Sequence, residues 1–353
     1  PKKNIIFSTL KGETYSGNPE IGPLKRSMSR IFCSTVIDGR ILLGTAKGIY
    51  EYKENTNEIV PINVHGFQAD ARVQHINYSN GIIWVNIYNV GLYQLDKNCK
   101  IIRDFSTNQQ APKIVYTSQL AHDNKHQYFG TSNGIFSFDY ATSKFLSIDA
   151  QNLGHYCGLS TKDIFGTLWF TLDYGIIGIS REGEIYKLSS SKIFPSHLFY
   201  TLNSDNNGNL IIGTNKGINV IQVNEKGKIL KYRNYDSGTD FGGYETNMRS
   251  SFQVGNATYV GTLEGLYKLD FDFLFQMPNP KTPAITISQE RDRLNSNIVA
   301  IQFLSKNPKT KTVLYSYRIE NYQDEWSDLT TNTKISLINL PGDHYKIEVK
   351  ATY

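Results

Sequence analysis

The sequence contains no apolar run long enough to cross a bilayer as a helix, and no charged-then-apolar leader opens it. Pro1 is not expected to be a natural start, so the chain is read as part of a longer protein. Nor does any window repeat apolar residues at helical spacing for three turns without a glycine or turn cluster intervening. Cysteine is scarce: Cys33, Cys99 and Cys157 have no metal spacing, and three cannot form a complete disulfide framework. The net charge is only +5 and no concentrated Lys/Arg run carries it. Lys2-Lys3 and the cluster from Lys309 to Lys311 read as solvated ends and turns, so nucleic acid is not an expected partner. What is present in quantity is aromatic surface. Aromatic residues make up 12% of the 353, with 23 tyrosines, and the apolar fraction is 39%. That composition suits a globular chain with half-buried β surface rather than a disordered one.

One pattern recurs along most of the length. An apolar strand runs into a glycine and a second apolar strand in Gly44-Thr45-Ala46-Lys47-Gly48-Ile49-Tyr50, Gly130-Thr131-Ser132-Asn133-Gly134-Ile135-Phe136, Gly213-Thr214-Asn215-Lys216-Gly217-Ile218 and Gly261-Thr262-Leu263-Glu264-Gly265-Leu266-Tyr267. Trp84-Val85-Asn86 before Gly91, and Trp169-Phe170-Thr171 before Gly175, keep the frame without the Gly-Thr pair. Ile6 to Gly12 is a fainter copy. The anchor glycines recur at roughly forty-residue intervals, the period of four-stranded propeller blades. Within a unit the order is constant. Val73 to Tyr78, the turn Ser79-Asn80-Gly81, Ile82 to Asn86, the glycine corner, Gly91 to Leu95, the turn Asp96-Lys97-Asn98 and Ile101 to Phe105 give four strands and three turns. A single blade cannot bury both faces, so blades must stack, and closure protects their edges. The expectation is an all-β chain: a seven-bladed β-propeller over residues 1–277, or six blades plus an irregular unit. The first unit has almost nothing ahead of Ile5 to supply its innermost strand, so upstream sequence or a strand from elsewhere is expected to complete it.

After Asp270 the repeat stops. Met277-Pro278-Asn279-Pro280-Lys281-Thr282-Pro283 reads as a domain boundary, with a linker at 278–283. Strand-like segments Ala284 to Ser288, Ile298 to Leu304, Val313 to Glu320, Lys334 to Leu337 and Tyr345 to Ala351 then predict a small fibronectin-III-like β-sandwich over 284–353.

These last residues carry a family resemblance. Tyr315-Ser316-Tyr317-Arg318-Ile319-Glu320-Asn321-Tyr322-Gln323-Asp324-Glu325-Trp326-Ser327, followed by Asn339-Leu340-Pro341-Gly342-Asp343-His344-Tyr345-Lys346-Ile347-Glu348-Val349-Lys350-Ala351, resembles the Y_Y_Y domain of bacterial two-component sensors. The repeats ahead of it are similar to two-component regulator propeller repeats. Together they cover nearly the whole chain, and their order is more specific than either part. The resemblance implies the periplasmic sensor region of a Bacteroidetes-type hybrid two-component system, an inner-membrane protein that detects oligosaccharides from complex glycans. In that family two propellers precede the Y_Y_Y domain, and a membrane helix and cytoplasmic kinase and regulator modules follow. The chain would hold the second propeller and most of a Y_Y_Y domain truncated at Tyr353, acting as a homodimer through that domain and itself no enzyme. Two departures loosen turns: Asn321 stands where the family has glycine, and Gly342-Asp343-His344-Tyr345 has one residue more than Gly-Asp-Tyr.

Catalytic chemistry is hard to assemble from spacing. His122 and His126 are four apart, but Asp123-Asn124-Lys125 makes the segment a turn rather than a zinc-binding helix. Ser204-Asp205-Asn206-Asn207-Gly208 lacks the alternating acids and closing Glu of a calcium loop. Thr161 to Trp169 approaches the Asp-box of sialidase propellers, with one residue too many between Asp163 and Gly166, and that motif is structural. Ser8-Thr9-Leu10-Lys11 matches a Ser-x-x-Lys string without its helix or partner motifs. No nucleophile with its base and no carboxylate pair emerges, and no metal or other cofactor is expected.

A binding site fits better. The corner between second and third strands and the connection into the next blade share one rim, where loops display contact residues. The corners offer Tyr88, Asn89, Asp173, Tyr174, Lys216 and Glu264. The connections offer Arg72, His155, Tyr156, His197, Tyr200, Tyr244, Glu245, Asn247 and Arg249. Sugars present apolar faces edged by hydroxyls, which aromatic platforms and planar hydrogen-bonding groups match. The loop from Asn234 to Asn247, with Gly238, Gly242 and Gly243, is the foremost contact segment. Trp84 and Trp169 fall in strand patterns and read as blade packing, and Tyr315, Tyr317, Tyr322 and Trp326 as sandwich core. Two alternatives to a glycan sensor stay open: a propeller polysaccharide lyase or glycosidase, and a protein-binding scaffold.

Overall fold

The computed structural model describes residues 6–8, 14–16, 30–56, 58–68, 70–148, 153–189, 193–235, 245–255, 257–270, 285–291, 298–305, 313–338 and 344–352. Among these no helix is long and apolar enough to cross a membrane. Two compact units divide the chain: Pro1–Gln151 with His155–Gly158, and Asn152–Gly154 with Leu159–Tyr353.

The first unit opens with the antiparallel pair β1 (Ile6–Ser8) and β2 (Thr14–Ser16). Three four-stranded antiparallel sheets follow, each in chain order. They comprise β3 (Ile31–Ile37), β4 (Arg40–Thr45), β5 (Gly48–Lys53) and β6 (Glu58–Ile62); β7 (Val73–Ser79), β8 (Ile82–Ile87), β9 (Gly91–Leu95) and β10 (Ile101–Asp104); and β11 (Val115–Leu120), β12 (His126–Thr131), β13 (Gly134–Asp139) and β14 (Lys144–Ile148). The pattern read from residues 73–105 matches its observed sheet to within a residue or two at each strand end.

The second unit holds two more such sheets: β15 (Ser160–Lys162), β16 (Leu168–Leu172), β17 (Gly175–Ile179) and β18 (Ile185–Ser189), then β19 (Phe199–Ser204), β20 (Asn209–Thr214), β21 (Gly217–Val223) and β22 (Ile229–Tyr235). A three-stranded sheet follows, of β23 (Thr246–Val254), β24 (Ala257–Thr262) and β25 (Gly265–Asp270). The sandwich places β26 (Ile285–Arg291), β27 (Ile298–Ser305) and β29 (Lys334–Ile338) in one sheet and β28 (Leu314–Ile319) with β30 (Ile347–Thr352) in another. The chain is therefore all-β, with propeller repeats followed by a fibronectin-III-like sandwich. The expected linker at 278–283 lies outside the described residues.

Burial explains why the middle strands read as continuous apolar runs. β9, β16, β17 and β20 are buried at every position; for β9 and β20 the reason is that neighbouring blades of the same unit pack on both faces. The outer strand β10 shows exposed residues at three of its four positions. Both blade tryptophans are packing residues, as expected. Trp84 is fully buried, 5.0 Å edge-on to both Phe129 and Phe138, and its Nε1 donates to the Tyr140 hydroxyl at 3.0 Å.

Strand β28 has two working faces. Tyr315, Tyr317 and Ile319 point into the sandwich core with Phe303 and Leu337. Leu314, on the opposite face, is fully buried in the blade core that includes Ile193, Phe194, Leu202 and Trp169, with Leu329 packed beside it. Further along that outer face Arg318 and Lys350 cover Trp326 at 5.1 and 3.6 Å from its ring centroid. This corrects two of the four aromatic assignments: Trp326 is a half-buried surface ring clasped by two cations, and Tyr322 is 53% exposed in a turn. Asn321 takes a left-handed φ of 64°, a conformation that glycine adopts freely and asparagine tolerates.

Candidate functional site

The glycine corner proves to be a shared device of glycine and threonine. Thr45 Oγ1 donates to the Gly48 carbonyl at 3.0 Å and accepts from Lys47 N at 3.0 Å. Thr131, Thr214 and Thr262 repeat the pair of bonds toward Gly134, Gly217 and Gly265. Asn86 substitutes in its blade, donating to the Gly91 carbonyl at 2.9 Å and accepting from Val115 N at 3.0 Å. Gly134 and Gly217 sit at φ 96° and 92°, a left-handed region that disfavours side chains. Gly175 is absent from that class. Its missing Cβ matters because the Leu188 carbonyl and Ser189 Cα lie against it.

One further bond ties the corner to the incoming connection. In four blades the amide just past the second strand donates to the carbonyl just before the first: Ala46 to Arg30 at 3.0 Å, Tyr88 to Arg72 at 2.9 Å, Ser132 to Ile114 at 3.4 Å and Leu263 to Glu245 at 3.1 Å. Corner and connection thus share a rim, as the sequence pattern implied.

On the first unit's rim the structure brings Arg72 and Tyr88 together. The Arg72 guanidinium lies 4.4 Å from the Tyr88 ring centroid and 4.5 Å from that of Phe32, and Nη2 donates to Gln74 Oε1 at 2.9 Å. Arg30 approaches Phe32 at 5.0 Å. Asn89 is exposed at φ 60°. His155 is exposed and its carbonyl accepts from Gly134 N at 2.5 Å. Tyr156, 41% exposed, packs 4.9 Å from Tyr116. Phe32, Gln74, Arg30 and Tyr116 lie within or just before inner strands, so a search of loops alone passes over them.

The second unit presents Asp173 and the exposed Tyr174 at one corner, where Tyr174 N donates to the Leu153 carbonyl at 2.9 Å. His197 is exposed ahead of β19. Tyr200 pairs with Glu245, and burial together with that carboxylate raises its phenol above the ordinary range. Glu264 is exposed at the last corner, its amide bonded to Thr262 Oγ1 at 3.3 Å, and Lys216 is likewise exposed. Asn247 and Arg249 belong to β23 rather than to the connection: Asn247 Nδ2 donates to the Thr262 carbonyl at 2.9 Å, and Arg249 has φ 57° at a register shift between Thr246 and Ser251. Tyr244 and residues 236–243 of the long loop lie outside the described residues.

Away from the rim, the chemically suggestive segments are turns. Asp205 Oδ1 accepts from Asn207 N and Asn209 N at 2.9 and 2.8 Å, closing a blade turn. His126 Nδ1 lies 2.8 Å from Asp123 Oδ2 within another. Asp163 is buried and accepts from Phe165 N and Thr167 N at 2.9 Å and from Trp169 Nε1 at 2.7 Å. Burial pushes its carboxyl above the usual range, with these donors opposing. The buried contact of His75 Nε2 with Ser118 Oγ at 2.8 Å, also reached by Asn77 Nδ2 at 3.0 Å, bridges β7 and β11 and is not visible from spacing. Among the described residues no group of three His, Cys, Asp or Glu could hold a metal.

Residues 308–353 match the family model of the Y_Y_Y domain. No curated protein matches the chain by sequence. Among solved structures the chain is similar to the extracellular domain of BT4673 from B. thetaiotaomicron, described as a one-component or hybrid two-component system. The TM-score is 0.59 at 14% identity, covering 98% of this chain and 54% of that one, so the chain spans about half its length. Virginiamycin B lyase from Staphylococcus aureus is similar at TM-score 0.52 and 17% identity, over 75% of this chain and 86% of the lyase. The WD40 propeller of Doa1 is similar at 0.52 and 9%, over 76% and 88%. These likenesses establish the propeller fold, and the C-terminal match places a Y_Y_Y domain after it, the order the sequence resemblance implied.

Proposed function

We propose that this chain is an extracytoplasmic sensing segment of a hybrid two-component histidine kinase and response regulator. It recognises an oligosaccharide from a complex glycan and signals through its Y_Y_Y domain to control glycan-utilisation genes. The observation that carries the reading is the alignment of 98% of the chain on the BT4673 extracellular domain, joined to the Y_Y_Y match at residues 308–353. In this reading the propeller spans 1–277, a linker 278–283 and the Y_Y_Y domain 284–353. The segment lies in the periplasm of an inner-membrane protein, pairs with a second copy through the Y_Y_Y domain, and performs no catalysis itself. Leu314 supports a transmission route, because a strand of the sandwich shares a buried core with blade residues Ile193, Phe194 and Leu202. For ligand to matter it must bind one arrangement of the dimer better than another, since equal affinity shifts nothing.

Isothermal titration of the complete periplasmic region against a panel of oligosaccharides tests this reading. Saturable binding to at least one member is expected; a folded protein that binds none would overturn it. An enzymatic reading draws on the fold shared with virginiamycin B lyase. Incubation with polysaccharides, followed by assay for new reducing ends or unsaturated products, separates the two. Co-purification of a protein partner without any sugar response would favour a scaffold.

A further inference from the structure

We infer that the rim of the first unit is built to receive an anionic group, with Arg72 and Arg30 as its donors, so that the ligand is an acidic oligosaccharide carrying a carboxylate or sulfate. The inference deepens the glycan-sensing reading and rests on it.

The two arginines occupy equivalent places. Each immediately precedes the inner strand of its blade, and each gives its carbonyl to the amide past the second strand, Ala46 in one case and Tyr88 in the other. The repeat therefore delivers both side chains to the same rim in adjacent blades. Phe32, one residue into β3, is shared between them: the guanidinium carbons of Arg30 and Arg72 lie 5.0 and 4.5 Å from its centroid. Tyr88 adds a second aromatic contact for Arg72 at 4.4 Å, and Gln74 Oε1 accepts from its Nη2 at 2.9 Å.

Two arginines elsewhere are neutralised: Arg40 contacts both carboxylate oxygens of Glu51 at 3.1 Å, and Arg318 Nε lies 2.5 Å from Glu348. Among the described residues neither Arg30 nor Arg72 forms an ion pair. Two like charges converge on one ring, which concentrates positive potential where an anion would approach. Stacking covers the faces of a guanidinium and leaves its edge for planar hydrogen bonds, the geometry that suits a carboxylate or sulfate. Arg72 uses one of its five N–H donors on Gln74. On the same unit's rim Tyr156 is 41% exposed and packs 4.9 Å from Tyr116.

The test is titration of the complete periplasmic region with three sets of probes of matched length: uronate-containing oligosaccharides, sulfated oligosaccharides and neutral oligosaccharides. Binding to one of the anionic sets is expected, weakened by raising NaCl from 50 mM to 1 M, and the set that binds identifies carboxylate or sulfate as the anion. Arg72→Gln is expected to reduce that affinity roughly 10- to 100-fold, the worth of a charge-assisted contact. Arg72→Lys keeps the charge without the fork and is expected to restore only part of it. Arg30→Gln, at an exposed position against Phe32 alone, is expected to weaken binding without lowering the melting temperature. It serves as the readout if Arg72 variants fold poorly. Neutral-only binding, or anionic binding unchanged in both glutamine variants, would overturn this inference and leave the sensing reading standing. Absence of binding to all three sets would overturn both.

Discussion

Replacing Asp163 measures how much of this propeller's stability resides in its turns. The carboxylate sits between β15 and β16, with Oδ1 accepting two main-chain N–H groups at 2.9 Å and Oδ2 the Trp169 indole N–H at 2.7 Å. Asp163→Ala deprives three donors of their acceptor, two of them deeply buried. At about 1–3 kcal/mol per unsatisfied buried group, and with the half-buried Phe165 amide recovering water, the expected loss is about 3–4 kcal/mol. Asp163→Asn keeps the Oδ1 bonds but turns an amide N–H₂ toward the indole. Burial already disfavours the charge, which offsets part of the damage, so the expected loss is about 1–2 kcal/mol. The assay is urea unfolding followed by circular dichroism and tryptophan emission, with a double-mutant cycle against Trp169→Phe to isolate the indole bond. A coupling of about 1 kcal/mol is expected. A loss below about 1 kcal/mol for Asp163→Ala would refute the assignment of this turn as a structural anchor.

Thr214→Val removes the bonds to Gly217 and Lys216 while keeping the shape of a fully buried side chain, and a loss of about 1–3 kcal/mol in the same unfolding assay is expected. Gly130→Ala would set a Cβ 2.6 Å from Thr117 Cγ2 and against Cys157, so overpacking of about 1–3 kcal/mol is expected, read as a lower melting temperature. Leu314→Ala opens a cavity where the sandwich meets the blades. About 2–5 kcal/mol is expected, with a calorimetric transition that splits as the sandwich melts first. Glu348, held down to about 2 by Lys346 and Arg318, contributes stability that is present above the ordinary glutamate range and lost as pH falls toward about 2. An acid titration of wild type against Glu348→Gln is expected to show that dependence only in wild type.

The blade order was legible because a period near forty and alternating turn residues leave little else for the chain to form. Sheet β7 to β10 and strands β26 to β30 fall close to the segments the residues outline. The corner was half legible. Glycine announces an unusual backbone, whereas the twin bonds of Thr45, Thr131, Thr214 and Thr262 depend on a hydroxyl turned back on its own loop. Tyr322 and Trp326 were misread because aromatic alternation implies a core without saying which face of β28 is covered. Arg318 and Lys350 shield Trp326 from opposite sequence positions, a pairing that only the β28–β30 register creates. The Arg30 and Phe32 portion of the rim was missed for a similar reason. Their meeting with Arg72 joins consecutive blades, so the separation along the chain hides it.

The shared core around Leu314 decides how this protein can be cut for experiments. A propeller expressed without its sandwich would bare the apolar surface that Leu314 and Leu329 now cover, next to Ile193 and Phe194. Such a truncated product is expected to aggregate or to bind hydrophobic dyes and detergents. A sugar-binding screen on it would then report stickiness rather than recognition. The smallest honest unit for ligand work therefore extends through the last strand of the sandwich.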